Sequence, residues 1–211
     1  MRPKAICALR RIREGMERLS KNIVPLWHPL GFVSCVIFDE NGVVTRLHYW
    51  PAGERRPKTP NWPIHTHLFK LSSLVVSGTL IDRQYHCSQG SDYLGYKVVY
   101  SDANSRLSDT GIAYRIEVVR ESVLSAHGFY SIEEGVFHEN YVDINQETLT
   151  LAQCFLHSKN APIVLAPEIE ATDPSLGKLE YVRQPFNSDV FWGRASCLID
   201  KFLRHENGGG A

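Results

Sequence analysis

Three histidines in two short stretches of the chain could share one metal ion. His65 and His67 stand two residues apart, and His138 follows Gly135 by three residues. Side chains two positions apart on a β-strand point to the same face, so the imidazoles of the first pair can converge on one ion. A stable site needs a third ligand, which His138 would supply from a neighbouring strand. This pattern predicts a centre with three neutral imidazole ligands.

The donor type leaves the identity of the metal open. Imidazole suits Fe, Zn, Ni and Cu alike. Three protein ligands leave coordination positions free, which favours a catalytic site over a closed structural one. The five cysteines are scattered and form no Cys-x-x-Cys pair, so neither a zinc ribbon nor a disulfide framework is indicated. A lone His-x-His would more often be two hydrogen-bonded histidines, and the third histidine is what favours the metal.

The elements that must position these histidines are mainly β-strands. Short apolar, β-branched and aromatic runs alternate with turn signals such as Asn41-Gly42. The predicted strands are Phe32–Phe38, Val43–Trp50, Ile64–Phe69, Leu74–Leu80, Tyr93–Tyr100, Ile112–Val119, Gly128–Ile132, Val136–Val142 and Thr148–His157. Many short strands without intervening helices are typical of a β-sandwich or barrel.

Helices are predicted at both ends of the chain. Apolar residues recur at three- and four-residue steps from Lys4 to Lys21, and Ser188 can cap a second helix that runs to about His205. The intervening stretch from Glu168 to Asn187 is predicted to be loop, and the Gly-rich tail to be disordered.

These elements predict one domain in three parts. Residues 1–30 form an N-terminal helical segment, residues 31–167 a β-barrel, and residues 168–211 a loop and helix that pack on the barrel.

Both histidine stretches resemble the motifs of the cupin superfamily. The first cupin motif contains His-x-His, then a Glu and a closing Gly, and here His65, His67 and Gly78 fall in register. The second motif centres on Pro-x-Gly-x-x-His, whose Gly-x-x-His part is matched by Gly135 and His138. The resemblance covers most of the chain and implies a cupin-type antiparallel β-barrel, the double-stranded β-helix.

One departure from the first motif changes the implied chemistry. Leu71 stands where the metal-binding Glu of cupins falls, so three histidines remain. This set is similar to the Fe(II) site of the thiol dioxygenases, which implies a mononuclear non-haem Fe(II) oxygenase that uses O₂ and a small chelating substrate. The Ser-His-Tyr relay of that family is not matched, because Leu151, Gln153 and Phe155 fall at its positions.

Several residues are expected near the metal in addition to its ligands. Phe69 and Leu71 follow His67 on the same strand face and are predicted to line the substrate pocket. Arg46, His48 and Gln153 are candidates for polar contacts, without an assigned catalytic role. For His48, an exposed position on the barrel is an equal alternative.

Two other classes of function stay open. One is a metal-dependent isomerase or lyase that does not use O₂, or a cupin that forms N–N bonds from N-hydroxylated guanidines. The other is a cupin that binds a small ligand without turnover. O₂ consumption with a substrate would favour the oxygenase, and tight binding without turnover would favour the binding protein.

Composition limits the partners. A net charge of zero and a pI near 7.1 do not suggest a nucleic-acid binder. No apolar run approaches the roughly 20 residues of a membrane helix, and the basic N-terminus is not followed by an apolar segment. A cytoplasmic protein is expected, and a homodimer as well, because cupins commonly dimerise through their sheets.

Overall fold

The computed structural model describes residues 2–101, 104–155, 158, 160–171 and 180–208. Its helices are α1 (Arg2–Glu14), α2 (Met16–Asn22) and α3 (Ser188–Gly208). The strands in this part of the chain are β1 (Leu26–Trp27), β2 (Leu30–Gly31), β3 (Val33–Glu40), β4 (Val43–Trp50), β5 (Arg56–Pro57), β6 (Lys70–Ser77), β7 (Thr79–Ser101), β8 (Asn104–Ser125), β9 (Phe129–Ile132), β10 (Phe137–Tyr141), β11 (Thr148–Phe155), β12 (Ile163–Pro167) and β13 (Glu180–Val182). Within the described ranges, no helix is both long enough and apolar enough to span a membrane.

The strands form two main antiparallel sheets. The first has the order β1-β3-β4-β11-β6-β9, and the second has the order β10-β7-β8-β13, with β12 also paired to β7. The segment around His65 bridges to β10 and so lies next to the second sheet. Eight segments form the barrel, from β4 to β11 with the His65 segment in place of β5. In the first sheet they lie in the order β4-β11-β6-β9, which are the first, eighth, third and sixth segments along the chain. In the second sheet the order is the His65 segment, β10, β7 and β8, which are the second, seventh, fourth and fifth. This is the double-stranded β-helix, so the predicted cupin-type barrel is confirmed.

The three helices cover the outer face of the first sheet. Buried side chains of all three helices pack with alternate residues of β3, β4, β6 and β11, among them Leu47, Leu74 and Leu151. The opposite face of the same strands packs with the second sheet around Trp50, Phe69 and the barrel interior. Strand alternation therefore separates a helix-facing set from an interior set.

The helical predictions differ from the structure in detail. The predicted helix from Lys4 to Lys21 is two helices that meet at Gly15, a residue that lowers helix stability by about 1 kcal/mol. At α3, the cap is supplied by Asn187, whose Oδ1 accepts from the Val190 amide at 3.0 Å, and not by Ser188. The helix continues to Gly208, and the predicted disorder of residues 209–211 lies outside the described residues.

Several predicted strands also differ. Ile64–Phe69 is not a regular strand, since only His65 makes ladder-type bridges there. The predicted strands Tyr93–Tyr100 and Ile112–Val119 are parts of the long hairpin β7–β8, because the Gly90 turn signal is absorbed as a register shift within the hairpin. A Cβ at Gly90 would lie 2.5 Å from the Arg115 Cβ, so glycine allows the two strands to stay together.

Three further departures affect other predicted elements. The predicted strand Leu74–Leu80 is divided at Gly78, which has φ +82°. The predicted loop Glu168–Asn187 contains β13, and residues 172–179 of that loop lie outside the described residues. The last two residues of the predicted strand Thr148–His157 also lie outside them.

Candidate metal centre

Backbone pairing fixes the position of the first histidine. The amide of His65 donates to the carbonyl of His138 at 3.0 Å, and the amide of His138 donates to the carbonyl of His65 at 2.9 Å. On its other side, His65 bridges to Val164 of β12. The His65 segment is thus held between β10 and β12, although it is too irregular to form a strand.

The second motif also holds the first motif in place. Gly135 has φ +76°, a conformation that favours glycine, and its amide donates to the carbonyl of His67 at 3.1 Å. The turn that leads into the strand of His138 therefore anchors the backbone of His67. This contact gives a physical reason for a glycine three residues before the third histidine.

The structure brings the three predicted histidines together. One ligand-type nitrogen from each of His65, His67 and His138 lies within 4.8 Å of the other two. The Nε2 atoms of His67 and His138 are 2.9 Å apart. His138 is buried, whereas His65 and His67 are half-buried.

The Nδ1 atoms of two of these imidazoles have hydrogen-bond partners of their own. His138 Nδ1 donates to Asp82 Oδ1 at 3.1 Å, and His65 Nδ1 donates to the carbonyl of Pro63 at 2.7 Å. With Nδ1 as the donor, Nε2 of each ring keeps the lone pair that a metal needs. In a metal-binding histidine, a hydrogen bond from the ring nitrogen that does not bind the metal fixes the tautomer and the orientation of the ring.

Asp82 is in turn held by two amide side chains. Asn140 Nδ2 donates to its Oδ1 at 3.0 Å, and Gln84 Nε2 donates to its Oδ2 at 3.0 Å. Burial raises the pKa of Asp82, and the hydrogen bonds from Gln84 and Asn140 oppose this shift by favouring the charged carboxylate.

The three histidines are neutral at physiological pH. Burial lowers the pKa of His67 and His138 well below the ordinary value, and neighbouring histidines lower it further. Burial also lowers the pKa of His65, against the opposing effect of the Pro63 carbonyl. Neutral imidazole is the form that binds a metal, so the site needs no deprotonation step before metal binding.

Three imidazoles are a donor set that suits a divalent transition metal, and the spacing of one pair fits a shared ion. Two imidazole nitrogens at about 2.1 Å from one ion and at right angles to each other would be about 3 Å apart. The observed separation of 2.9 Å between the Nε2 atoms of His67 and His138 matches this value. His65 and His138 can present Nε2, because Nδ1 of each ring is the atom that is bonded to Pro63 or Asp82. The Nε2 atoms of His67 and His138 are hydrogen-bonded to each other, and a bound metal would take the place of that contact.

The predicted pocket residues lie beside the histidines in the barrel interior. The Phe69 ring stacks on His67 with a centroid distance of 4.7 Å. Leu71 is buried in the same interior cluster as Phe69. The guanidinium carbon of Arg46 lies 5.8 Å from the centre of the Phe69 ring. Arg46, Phe69 and His67 therefore form a continuous layer of contacts.

Arg46 and His48 both face the interior. On β11 they pair with Ala152 and Thr150, and Ala152 lies in the interior cluster. Burial, with a further contribution from the positive charges of Arg46 and Arg183, lowers the pKa of His48 to about 3. His48 is therefore a neutral polar group, and the exposed alternative for it is wrong.

Arg46 Nε and Thr150 Oγ1 are among the buried polar atoms that have no hydrogen-bond partner among the described residues. Buried polar groups are almost always paired, so an unpaired one needs an explanation such as a ligand or water. Both atoms lie on the same interior face as His48.

Gln153 does not reach the site. It alternates with Leu149 and Leu151, which pack against the helices, so its side chain lies on the helix-facing side of β11. The prediction of a polar contact from Gln153 is wrong because a position counted from the thiol dioxygenase relay falls on the other face of the strand.

Asp82 is the site residue that sequence reasoning missed. It stands in the alternating stretch Leu80-Ile-Asp-Arg-Gln84, four residues after Gly78. The available signal was an acid two residues after Leu80 on one strand face, since an acid needs a partner when it faces a core.

Replacing Asp82 with alanine is expected to weaken metal binding about 10- to 100-fold, because His138 loses the group that orients its ring. Competition titration with a chelating dye on the folded variant measures this change. Asp92→Ala is the matched control, because Asp92 contacts exposed Arg115 and should leave the affinity unchanged. An unchanged affinity in Asp82→Ala would contradict the orienting role.

No family model matches the sequence, and no curated protein matches it. Among solved structures, the hydroxypropylphosphonic acid epoxidase from S. wedmorenis has a TM-score of 0.40 and 10% identity, with 64% of this chain and 56% of the epoxidase chain covered. A cupin-2 domain containing protein from Shewanella frigidimarina has a TM-score of 0.30 and 18% identity, with 56% and 74% covered. A hydroquinone 1,2-dioxygenase in complex with Cd²⁺ and 4-hydroxybenzonitrile has a TM-score of 0.37 and 11% identity, with 66% and 70% covered.

The order of the strands in the two sheets defines the fold of the chain. Two antiparallel sheets in the order of the double-stranded β-helix enclose a group of three histidines. The chain therefore has a cupin-type barrel with a three-histidine group in its interior.

Proposed function

We propose that the protein is a mononuclear non-haem Fe(II) oxygenase that acts on a small, anionic, chelating substrate. The observation that carries this proposal is the convergence of three neutral histidines, with no carboxylate among them, in the barrel interior. When bound, Fe(II) would supply a Lewis acid and a redox centre for the reaction of the substrate with O₂. His65, His67 and His138 would hold it.

The three-histidine group has no fourth ligand among the described residues, which supports a catalytic role. Leu71, at the position of the usual glutamate, is buried in the apolar cluster and offers no donor atom. Three protein ligands leave room for a substrate that binds through two of its own atoms.

The charge of the interior supports an anionic substrate. The half-buried guanidinium of Arg46 has no carboxylate partner among the described residues, and its charge acts on both His48 and His67. Asp82, the acid next to the histidines, is already engaged by His138, Asn140 and Gln84. A carboxylate or similar group on the substrate would pair with Arg46 and accept from Thr150 Oγ1.

The apolar part of the interior would exclude bulk water from the reacting groups. Phe32, Trp50 and Phe69 belong to one buried cluster, and the Phe32 ring stacks on Trp50 at 4.8 Å. A site with few waters strengthens the attraction between Arg46 and an anion, because the local dielectric is low.

The test is O₂ consumption by protein reconstituted anaerobically with Fe(II). A panel of small carboxylates that carry a thiol, hydroxyl or keto group provides the chelating probes. Uptake of O₂ with at least one probe, and none in metal-free protein or in His138→Ala, is the expected result. Turnover of a probe without O₂ uptake would instead identify an isomerase or lyase, and binding without turnover would identify a ligand-binding protein.

A further inference from the structure

Among the described residues, the outer edge of β8 has no partner strand over most of its length. Along one edge, β8 pairs with β7 from Asn104 to Ser125. On the other edge, β13 pairs with residues 104–106, and no other described strand pairs with β8 there. The stretch of this edge from Arg115 to Ser125 therefore has no described neighbour that could pair with its backbone.

This edge carries an unusual number of exposed aliphatic side chains. Ile112 is 49% exposed, Val118 51%, Val119 61% and Val123 66%. Proteins normally protect a long edge strand from pairing with other chains, and an apolar edge favours such pairing. The first sheet, in contrast, has its outer face covered by the three helices.

The charges on β8 are arranged for pairing with a second copy of itself. In an antiparallel pair centred between Val118 and Val119, Glu117 of each copy lies opposite Arg120 of the other. A two-fold axis repeats this contact, so the pair gains two opposite-charge contacts. Glu117 forms no ion pair with another described residue. Arg120 is exposed, donates to the hydroxyl of Ser122, and its positive charge also lowers the pKa of Asp82.

A β-bulge makes this register consistent with the faces of the sheet. The pairing of β7 with β8 passes from Gln84–Arg120 to Tyr85–Val118 and skips Val119. Without the skipped residue, Glu117 and Arg120 would lie on opposite faces, and with it they share one face. The same shift places Tyr114 and Val123 on one common face, so the apolar side chains also meet.

We propose that two copies of the chain associate edge to edge through β8, around a two-fold axis between Val118 and Val119. The second sheets of the two copies then form one continuous sheet. Backbone hydrogen bonds supply the pairing, the exposed valines pack across the axis, and the Glu117–Arg120 contacts fix the register. The proposal does not depend on the reaction at the metal centre.

A charge exchange tests this interface. Multi-angle light scattering and sedimentation of the full chain should give a mass twice 23.9 kDa. Glu117→Arg and Arg120→Glu each place like charges opposite one another and should raise the dimer dissociation constant about tenfold or more. The double variant restores opposite charges and should return the constant to within about threefold of the original.

Two controls separate the interface from effects on folding. Arg204→Glu makes the same charge change on exposed α3 and should leave the dissociation constant unchanged. Circular dichroism should show the same strand content in all variants. A monomeric protein at high concentration would overturn the proposal, as would a dimer whose dissociation constant is unaffected by the two single variants or is not restored in the double variant.

Discussion

Replacing His138 with alanine is expected to abolish stoichiometric metal binding and to leave the barrel folded. His138 Nε2 lies 2.9 Å from His67 Nε2, and its removal leaves two ligands. Loss of a group that only orients a ligand costs 10- to 100-fold in metal affinity, so loss of the ligand itself should cost more than about 100-fold. Anaerobic metal analysis of the purified protein measures the result, with about one metal ion per chain expected in the original protein.

The matched control for this variant is His127→Ala. His127 is hydrogen-bonded to Glu206 near the end of α3 and is not a member of the three-histidine group. The His127→Ala variant should therefore keep about one metal ion per chain. Thermal unfolding in the presence of a chelator compares the metal-free proteins, so a folding defect in His138→Ala can be recognised. Full metal content in folded His138→Ala would contradict the assignment of this ligand.

Replacing Arg46 with alanine is expected to weaken the binding of an anionic chelating ligand by about 30-fold or more. Removal of one partner of a buried charge pair costs about 2–5 kcal/mol, and each 1.4 kcal/mol is a factor of ten. Arg46→Lys keeps the charge but loses the planar fork of donors, so an intermediate loss is expected. Calorimetric titration of the reconstituted protein with the chelating carboxylate found in the O₂ screen measures both variants.

A stability measurement separates this role from a structural one. Arg46 forms no ion pair with a described residue and its Nε has no hydrogen-bond partner among them, so Arg46→Met, which keeps an apolar side chain beside Phe69, should not lower the free energy of unfolding of the ligand-free protein. Arg55 donates to the carbonyls of Pro51, Glu54 and Asp143, so Arg55→Met should lower it by about 1–3 kcal/mol. A similar loss of stability in both variants, with no effect of Arg46→Ala on ligand binding, would contradict the proposed anion contact.

The histidine group was predictable because it depends on residue type and local spacing. His65 and His67 point to one place although their segment is not a regular strand. The bridges of His65 to His138 and Val164 impose a strand-like geometry that the sequence expressed only through its spacing. The strand order followed from the resemblance, since alternating apolar patterns predict strands but not which strands pair.

Contacts between strands that are distant in the chain could not be predicted from the sequence. Asp82 becomes a site residue only because Asn140 pairs with it and His138 pairs with Gln84, the next residue on the same strand face. Gln153 was counted into the site and lies on the other face, since a shift of one position on a strand reverses the direction of a side chain. The long hairpin was divided into shorter strands because Gly90 signals a turn locally, and only the close approach of Arg115 shows its actual role.

The most direct test of the account is the position of the metal in a crystal. Crystals of the Fe(II)-reconstituted protein, grown without O₂, can be measured on both sides of the iron absorption edge. We expect one anomalous peak about 2.1 Å from the Nε2 atoms of His65, His67 and His138. A peak that contacts fewer than three of these histidines, or no peak in protein shown to contain iron at this stoichiometry, would contradict it.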